Sequence, residues 1–77
     1  MDLKQEVLEL VSNTLDVGKE EIKDGQALYD SIGVDSTEMV ELVVSLNKHF
    51  GIKIGNDEVT KSSTPEAIVE VIASKRQ

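Results

Sequence analysis

The sequence predicts a small all-α domain, and three observations support this. Apolar residues recur at helical spacing in three segments, these segments begin or end at glycine, proline or a capping residue, and no stretch alternates apolar and polar residues as a half-buried strand would. The chain has 77 residues and no cysteine, which is near the lower size limit for an unaided hydrophobic core. We therefore expect a single domain spanning residues 1–77, built as a bundle of three main helices plus one short helix.

The first helix is predicted to begin at Leu3, because apolar residues then recur at helical spacing as far as Thr14. We expect it to end near Gly18, which can adopt the left-handed conformation common after a helix. Residues 19–35 contain two glycines and only scattered apolar side chains, which predicts a long loop between the first and second helices. Loops of this length are uncommon in small domains and are often functional.

The second helix is predicted over residues 36–50 and should end at Gly51. Residues 52–63 are mixed in character, and we expect one turn of helix near residues 57–61. The last helix should open with Thr64 as its cap and Pro65 at its first position. Its predicted buried stripe consists of Ile68, Val71 and Ile72.

At about 100° per residue, the second helix separates two sets of apolar side chains. The core stripe consists of Met39, Leu42, Val43, Leu46 and Phe50. Val40 and Val44 fall outside that arc, on the side that carries Glu41. Two exposed valines are ordinary on a protein surface, so chance and a docking stripe for a partner are both open at this point.

The start of this helix carries a serine in an unusual setting. Asp35 and Glu38 have the spacing of a capping box, in which Asp35 is the N-cap and Glu38 reaches back to it. Ser36 then lies at the first turn, behind a loop that contains Gly33. A hydroxyl there is exposed, and backbone N–H groups at a helix start favour a phosphate. Ser36 is therefore a candidate attachment point, although a structural cap alone would explain the Asp-Ser pair.

Charge and composition exclude several functions. Fifteen acidic residues against eight basic ones give a net charge of −7, and residues 24–58 are the most acidic part. Such a surface disfavours nucleic acid and favours basic protein partners. No apolar run approaches the roughly 20 residues of a membrane span, and no signal peptide is apparent, so we expect a cytoplasmic monomer. One histidine without cysteine makes a zinc site improbable, and the acids lack the spacing of a calcium loop, so we expect no metal site.

Nucleophilic catalysis within this chain is also disfavoured. His49 is the single histidine, and it lies thirteen residues after Ser36 on the same predicted helix. That spacing separates the two side chains by about 20 Å along the helix axis. A Ser–His hydrogen bond cannot form at that distance, so we do not expect an enzyme.

Nearly the whole chain resembles the acyl carrier protein family. The residues that carry the resemblance are Gly33-x-Asp35-Ser36, Val40-Glu41-Leu42-Val43, Leu46, Phe50-Gly51-Ile52-x-Ile54 and Val17-x-x-Glu20-Glu21-Ile22. The resemblance implies that Ser36, beside the motif residue Asp35, receives 4′-phosphopantetheine from coenzyme A through a separate phosphopantetheinyl transferase. It further implies that the thiol of this arm holds acyl groups as thioesters for enzymes of fatty acid or lipid biosynthesis.

The resemblance also implies how partners bind. Acyl-transfer and acyl-chain-processing enzymes would bind the second helix through basic patches on their surfaces. The expected docking residues are Thr37, Glu38, Val40, Glu41, Val44 and Lys48. By residue type and position alone, five apolar residues could line a site for the acyl chain, although they equally fit an ordinary core: Leu42, Leu46, Ile54, Ile68 and Val71.

This chain departs from the family pattern at several positions. Thr37 stands where leucine is commonest, residues 47–49 replace an acidic run, Gly55-Asn56 replaces a proline and an acid, and Ser62 replaces an apolar residue. Lys48 adds a positive charge to the docking helix, and such charges affect partner choice. We therefore hypothesise a dedicated pathway. Polyketide or aminoacyl cargo, and an unmodified acidic helical adaptor, remain alternatives.

Overall fold

The structure is a computed structural model that describes residues 2–55 and 57–76. Four α-helices occur in this part of the chain: α1 (Leu3–Leu15), α2 (Leu28–Ile32), α3 (Ser36–Phe50) and α4 (Pro65–Lys75). A 3-10 turn at Lys19–Glu21 lies between α1 and α2. No strand occurs within the described ranges. The predicted class, an all-α bundle with three main helices and one short helix, is confirmed.

The helices α1, α3 and α4 pack around a single apolar core, with α1 in contact with both of the others. All charged and polar side chains among the described residues lie outside this core. The buried apolar residues are Val7, Val11, Ile22, Leu28, Val34, Met39, Leu42, Val43, Leu46, Ile54, Val59, Ile68 and Ile72. No helix in the described part of the chain is long and apolar enough to cross a membrane.

The end of α1 differs from the prediction. The helix ends at Leu15, and Asp16, not Gly18, adopts the left-handed conformation with φ of 56°. Gly18 has an ordinary φ of −74° and precedes the 3-10 turn. Aspartate tolerates the left-handed region better than most residues with a side chain. The backbone N–H of Asp16 donates to the carbonyl of Ser12, which completes the helix end two residues early.

The short helix also lies elsewhere than predicted. Residues 57–61 form turns, whereas α2 occupies residues 28–32 inside the segment that the sequence suggested was a loop. The amide of Leu28 donates to the carbonyl of Ser63 (3.0 Å), and that of Tyr29 donates to the carbonyl of Lys61 (2.9 Å). These bonds satisfy the first N–H groups of α2, which a five-residue helix cannot satisfy itself. Long-range pairing therefore decides where the short helix forms.

The other two main helices follow the prediction at their ends. Gly51 ends α3 in the left-handed conformation, with φ of 66°. Thr64 caps α4 by accepting the amide N–H of Ala67 at 3.1 Å, and Pro65 stands at the first turn. The prediction of a buried Phe50 was wrong in degree, because this ring is half-buried at the edge of the core. Val71 is likewise half-buried.

A cluster of charges joins α1, the loop after the 3-10 turn and α4. The Lys4 ammonium lies 2.8 Å from the Asp24 carboxylate and 3.9 Å from that of Glu66. Glu66 also accepts the backbone N–H of Gly25 at 2.9 Å. The hydrogen bond from Lys4 lowers the pKa of Asp24 below its ordinary value, and the same bond raises the pKa of Lys4. The cluster ties the long connection to the bundle.

Candidate functional site

Ser36 is the first residue of α3, and Asp35 holds it there. The backbone of Asp35 is extended, with φ of −103° and ψ of 177°, so the chain enters the helix directly after it. The amide of Glu38 donates to Oδ1 of Asp35 (2.8 Å), and the amide of Asp35 donates to Oε1 of Glu38 (3.1 Å). This is the capping box that the sequence predicts, and both of its bonds form.

The first turn of α3 keeps exposed and unpaired polar groups that the capping box does not engage. The Ser36 side chain is exposed, and the amide N–H groups of Ser36 and Thr37 have no acceptor among the described residues. These N–H groups lie at the positive end of the helix dipole, which favours an anion. A phosphate ester on Ser36 would therefore lie where the backbone stabilises negative charge.

An open groove of about 530 Å³ begins at Ser36 and runs along α3. Its apolar lining on α3 consists of Met39, Val40, Val43 and Val44, and Ile54 and Val59 contribute from the segment after α3. Asn47 closes the far end, where its side-chain oxygen accepts the amide N–H of Ile54 at 2.9 Å. Thr60 and Lys61 line the groove as well. An elongated, partly apolar ligand attached at Ser36 fits this shape.

The groove shares one residue with the acyl site expected from residue type and position. Of the five residues expected there, Ile54 lines the groove, whereas Leu42, Leu46 and Ile68 are fully buried core residues. Val71 lies on α4 and is not among the groove residues. Helical spacing identifies inward-facing positions but does not distinguish a packed core from the wall of a ligand site, so an acyl site at these four residues stays a prediction.

The expected docking residues occupy the exposed side of α3. Val40 and Val44 are 62 % and 46 % exposed, which agrees with their position outside the core stripe of the helix. Thr37, Glu41 and Lys48 are exposed too. Glu38 differs from these, because it is half-buried and one of its oxygens is engaged in the capping box.

His49 lies far from Ser36, as expected. Its Nε2 is 3.6 Å from the carboxylate of Glu6 on α1, and its ring meets Phe50 edge-on. Within residues 2–55 and 57–76, no group of three or more potential metal ligands comes together. His49 is therefore too far away to act as a base for the Ser36 hydroxyl.

Three residues of the site were not identified from the sequence. Val59, Thr60 and Lys61 line the same groove as Ser36, and α2 anchors their segment through its bonds to the carbonyls of Lys61 and Ser63. Their segment has no regular periodicity, so local pattern gave no signal. The unusual Ser62, noted as a departure from the family, was the nearest hint.

Comparison with known proteins decides the family. The family model described as "Phosphopantetheine attachment site" matches residues 5–72. The acyl carrier protein of Chloroherpeton thalassium is 32 % identical over 76 residues, which cover 99 % of this chain and 95 % of that protein. The chain belongs to the acyl carrier protein family. It is a carrier that bears a covalent 4′-phosphopantetheine and works with partner enzymes, and it is not itself an enzyme.

Proposed function

We propose that Ser36 is the residue that carries 4′-phosphopantetheine. The observation that supports this most strongly is the position of its exposed hydroxyl, directly after the Asp35 cap and at the mouth of the groove. The two unpaired amide N–H groups of Ser36 and Thr37 favour the negative charge of a phosphodiester at this point. When bound, the arm supplies a thiol that carries acyl groups as thioesters, which a chain without cysteine lacks.

In the loading reaction the carrier itself supplies only the serine hydroxyl that is modified. The Ser36 Oγ forms a bond to the phosphorus that bears the pantetheine in coenzyme A, and the bond from that phosphorus to the 3′,5′-ADP part breaks. The Oγ proton must pass to a base. Because His49 lies next to Glu6 on another side of the bundle, we assign that base to the phosphopantetheinyl transferase.

Mass spectrometry tests the assignment of Ser36. The intact protein is incubated with coenzyme A, Mg²⁺ and a broad-specificity phosphopantetheinyl transferase, beside Ser36→Ala and the control Ser74→Ala, which removes an exposed hydroxyl on α4. We expect wild type and Ser74→Ala to gain one phosphopantetheine and Ser36→Ala to gain none. A modified Ser36→Ala protein would show that the arm is attached elsewhere.

We further propose that partner enzymes of fatty acid or lipid biosynthesis dock on the exposed face of α3. Val40 and Val44 provide an apolar contact, and Glu41 and Glu38 provide negative charge for a basic partner surface. Thr37 and Lys48 extend this face toward the two ends of the helix. The same face borders the groove, because both valines also line it, so docking there would bring a partner close to the arm.

The pathway is proposed to be a dedicated one. Lys48 is exposed at the C-terminal part of α3, where it reduces the negative charge that a basic partner would meet. Steady-state kinetics with general fatty acid synthase enzymes test this. We expect a lower kcat/KM than for a housekeeping carrier from the same cell, and partial recovery in Lys48→Glu. Equal turnover of the two wild-type carriers would contradict specialisation.

We also propose that residues 1–77 act as one domain, and that the protein is a cytoplasmic monomer. The net charge of −7 supports the monomer, since like charges oppose self-association. Sedimentation equilibrium at two ionic strengths tests this, and a dimer at low salt would contradict it. Cell fractionation tests the location. The compartment must contain both coenzyme A and a phosphopantetheinyl transferase.

A further inference from the structure

Lys61 is a cation on a groove whose walls are otherwise mostly apolar. It lines the same groove as Ser36, and its ammonium lies over the ring of Tyr29, 5.1 Å from the ring centre. Among the described residues Lys61 forms no ion pair, whereas Lys4, Lys19 and Lys75 each pair with a carboxylate. An aromatic face is a weaker partner than an anion, so this ammonium retains capacity to bind one.

The backbone of Lys61 is anchored to the short helix that precedes Ser36. The amide of Tyr29 donates to the carbonyl of Lys61 at 2.9 Å, and the carbonyl of Tyr29 accepts the amide of Gly33, three residues before Ser36. Helix α2 therefore joins the segment that carries Lys61 to the segment that leads into Ser36, and both residues line the same groove.

The two charged side chains of the capping box at Ser36 are both negative. Asp35 directly precedes Ser36, and Glu38 folds back to the amide of Asp35. A phosphodiester attached here adds one more negative charge beside these two carboxylates. Like charges so close together repel, so a nearby unpaired cation is the natural counter-ion.

We propose that Lys61 is a positioning residue whose ammonium leaves the Tyr29 ring and pairs with the phosphodiester of the arm on Ser36. The inference rests on the proposed function of Ser36. Its consequence is that the phosphate end of the arm is restrained at the groove mouth, while the thiol end remains free to reach partner enzymes. Tyr29 then serves as the resting place of the ammonium in the unloaded protein.

Nuclear magnetic resonance of the loaded protein tests this directly. The arm is introduced from coenzyme A labelled with ¹³C and ¹⁵N, and loading is checked by mass. We measure the order parameter of the arm amide nearest the phosphate in wild type, Lys61→Gln, Lys61→Arg and the control Lys23→Gln, which removes an exposed lysine of the loop. We expect a lower order parameter in Lys61→Gln, wild-type values in the control, and recovery in Lys61→Arg.

Salt and the lysine signals give two independent readouts. At 1 M NaCl the Debye length falls to about 3 Å, so the wild-type arm should approach the mobility seen in Lys61→Gln. In the wild type, the ¹³C and ¹H signals of the Lys61 ε-methylene should shift on loading, because the group leaves the ring current of Tyr29. The corresponding signals of Lys23 should not move.

The outcomes separate this proposal from the one on which it rests. A loaded protein with equal arm mobility in wild type and Lys61→Gln, and with unmoved Lys61 signals, would overturn the role of Lys61 alone. A wild type that gains no phosphopantetheine on Ser36 would overturn both.

Discussion

Asp35 and Ser36 are neighbours, and the structure predicts opposite consequences of replacing them. Asp35→Ala removes the side-chain oxygen that accepts the amide of Glu38, and so breaks the capping box. Ser36→Ala removes a hydroxyl that is exposed and forms no hydrogen bond among the described residues. The first change should therefore lower stability, and the second should abolish loading while leaving stability nearly unchanged.

The size of the stability loss expected in Asp35→Ala follows from the role of Asp35 as the N-cap. Replacing an Asp N-cap by alanine costs about 0.5–2 kcal/mol of unfolding free energy. For a domain of this size, about 1 kcal/mol lowers Tm by roughly 4–8 °C. Asp35→Asn is the matched control, since asparagine caps as well as aspartate but carries no charge. It should remain close to wild type and so separate the hydrogen bond from the electrostatic effect.

Thermal unfolding followed by circular dichroism, together with the mass assay of loading, measures both effects on the same samples. We expect wild type, Ser36→Ala and Asp35→Asn to have similar Tm values, and Asp35→Ala to have a clearly lower Tm. If Ser36→Ala unfolded as early as Asp35→Ala, Ser36 would be a structural residue and the reasoning would be refuted. An Asp35→Ala protein as stable as wild type would refute the capping box.

Three further predictions follow from the core, the docking face and the charge cluster. Leu46→Ala, at a side chain with no exposure, should cost about 2–5 kcal/mol in urea unfolding, and Phe50→Ala should cost less because its ring is half-buried; the reverse order would contradict the assigned core. Val40→Asp should change stability by less than about 0.5 kcal/mol yet lower kcat/KM with partner enzymes by about tenfold, and unchanged kinetics would argue against the docking face. Lys4→Met should be less stable than wild type at neutral pH, because it removes the attraction between the Lys4 ammonium and the Asp24 carboxylate. Lys4 lowers the pKa of Asp24, so the difference in stability should disappear as pH falls below 3.8 and that carboxylate becomes protonated. A difference that persisted at pH 2 would contradict this.

Much of the site could be predicted from local sequence, because its central features are local. The capping box depends on residues three apart, and the exposure of Val40 and Val44 depends on the period of one helix. Both follow from local pattern alone, and so does the separation of His49 from Ser36. The family resemblance added the chemistry of the arm, which no spacing of residues in this chain would have revealed.

Local sequence alone specifies the helical class, the three main helices, the start of α3 at Ser36 and the acidic character of the surface around it. These follow from periodicity, capping residues and charge, which act over a few residues. Contacts in the folded chain establish that α2 forms at residues 28–32, that Phe50 lies at the edge of the core, and that Lys61 lines the groove of Ser36. Each of these depends on contacts between segments distant in the chain, such as the bond from Tyr29 to Lys61, and pairing of this kind leaves no periodic trace in the sequence.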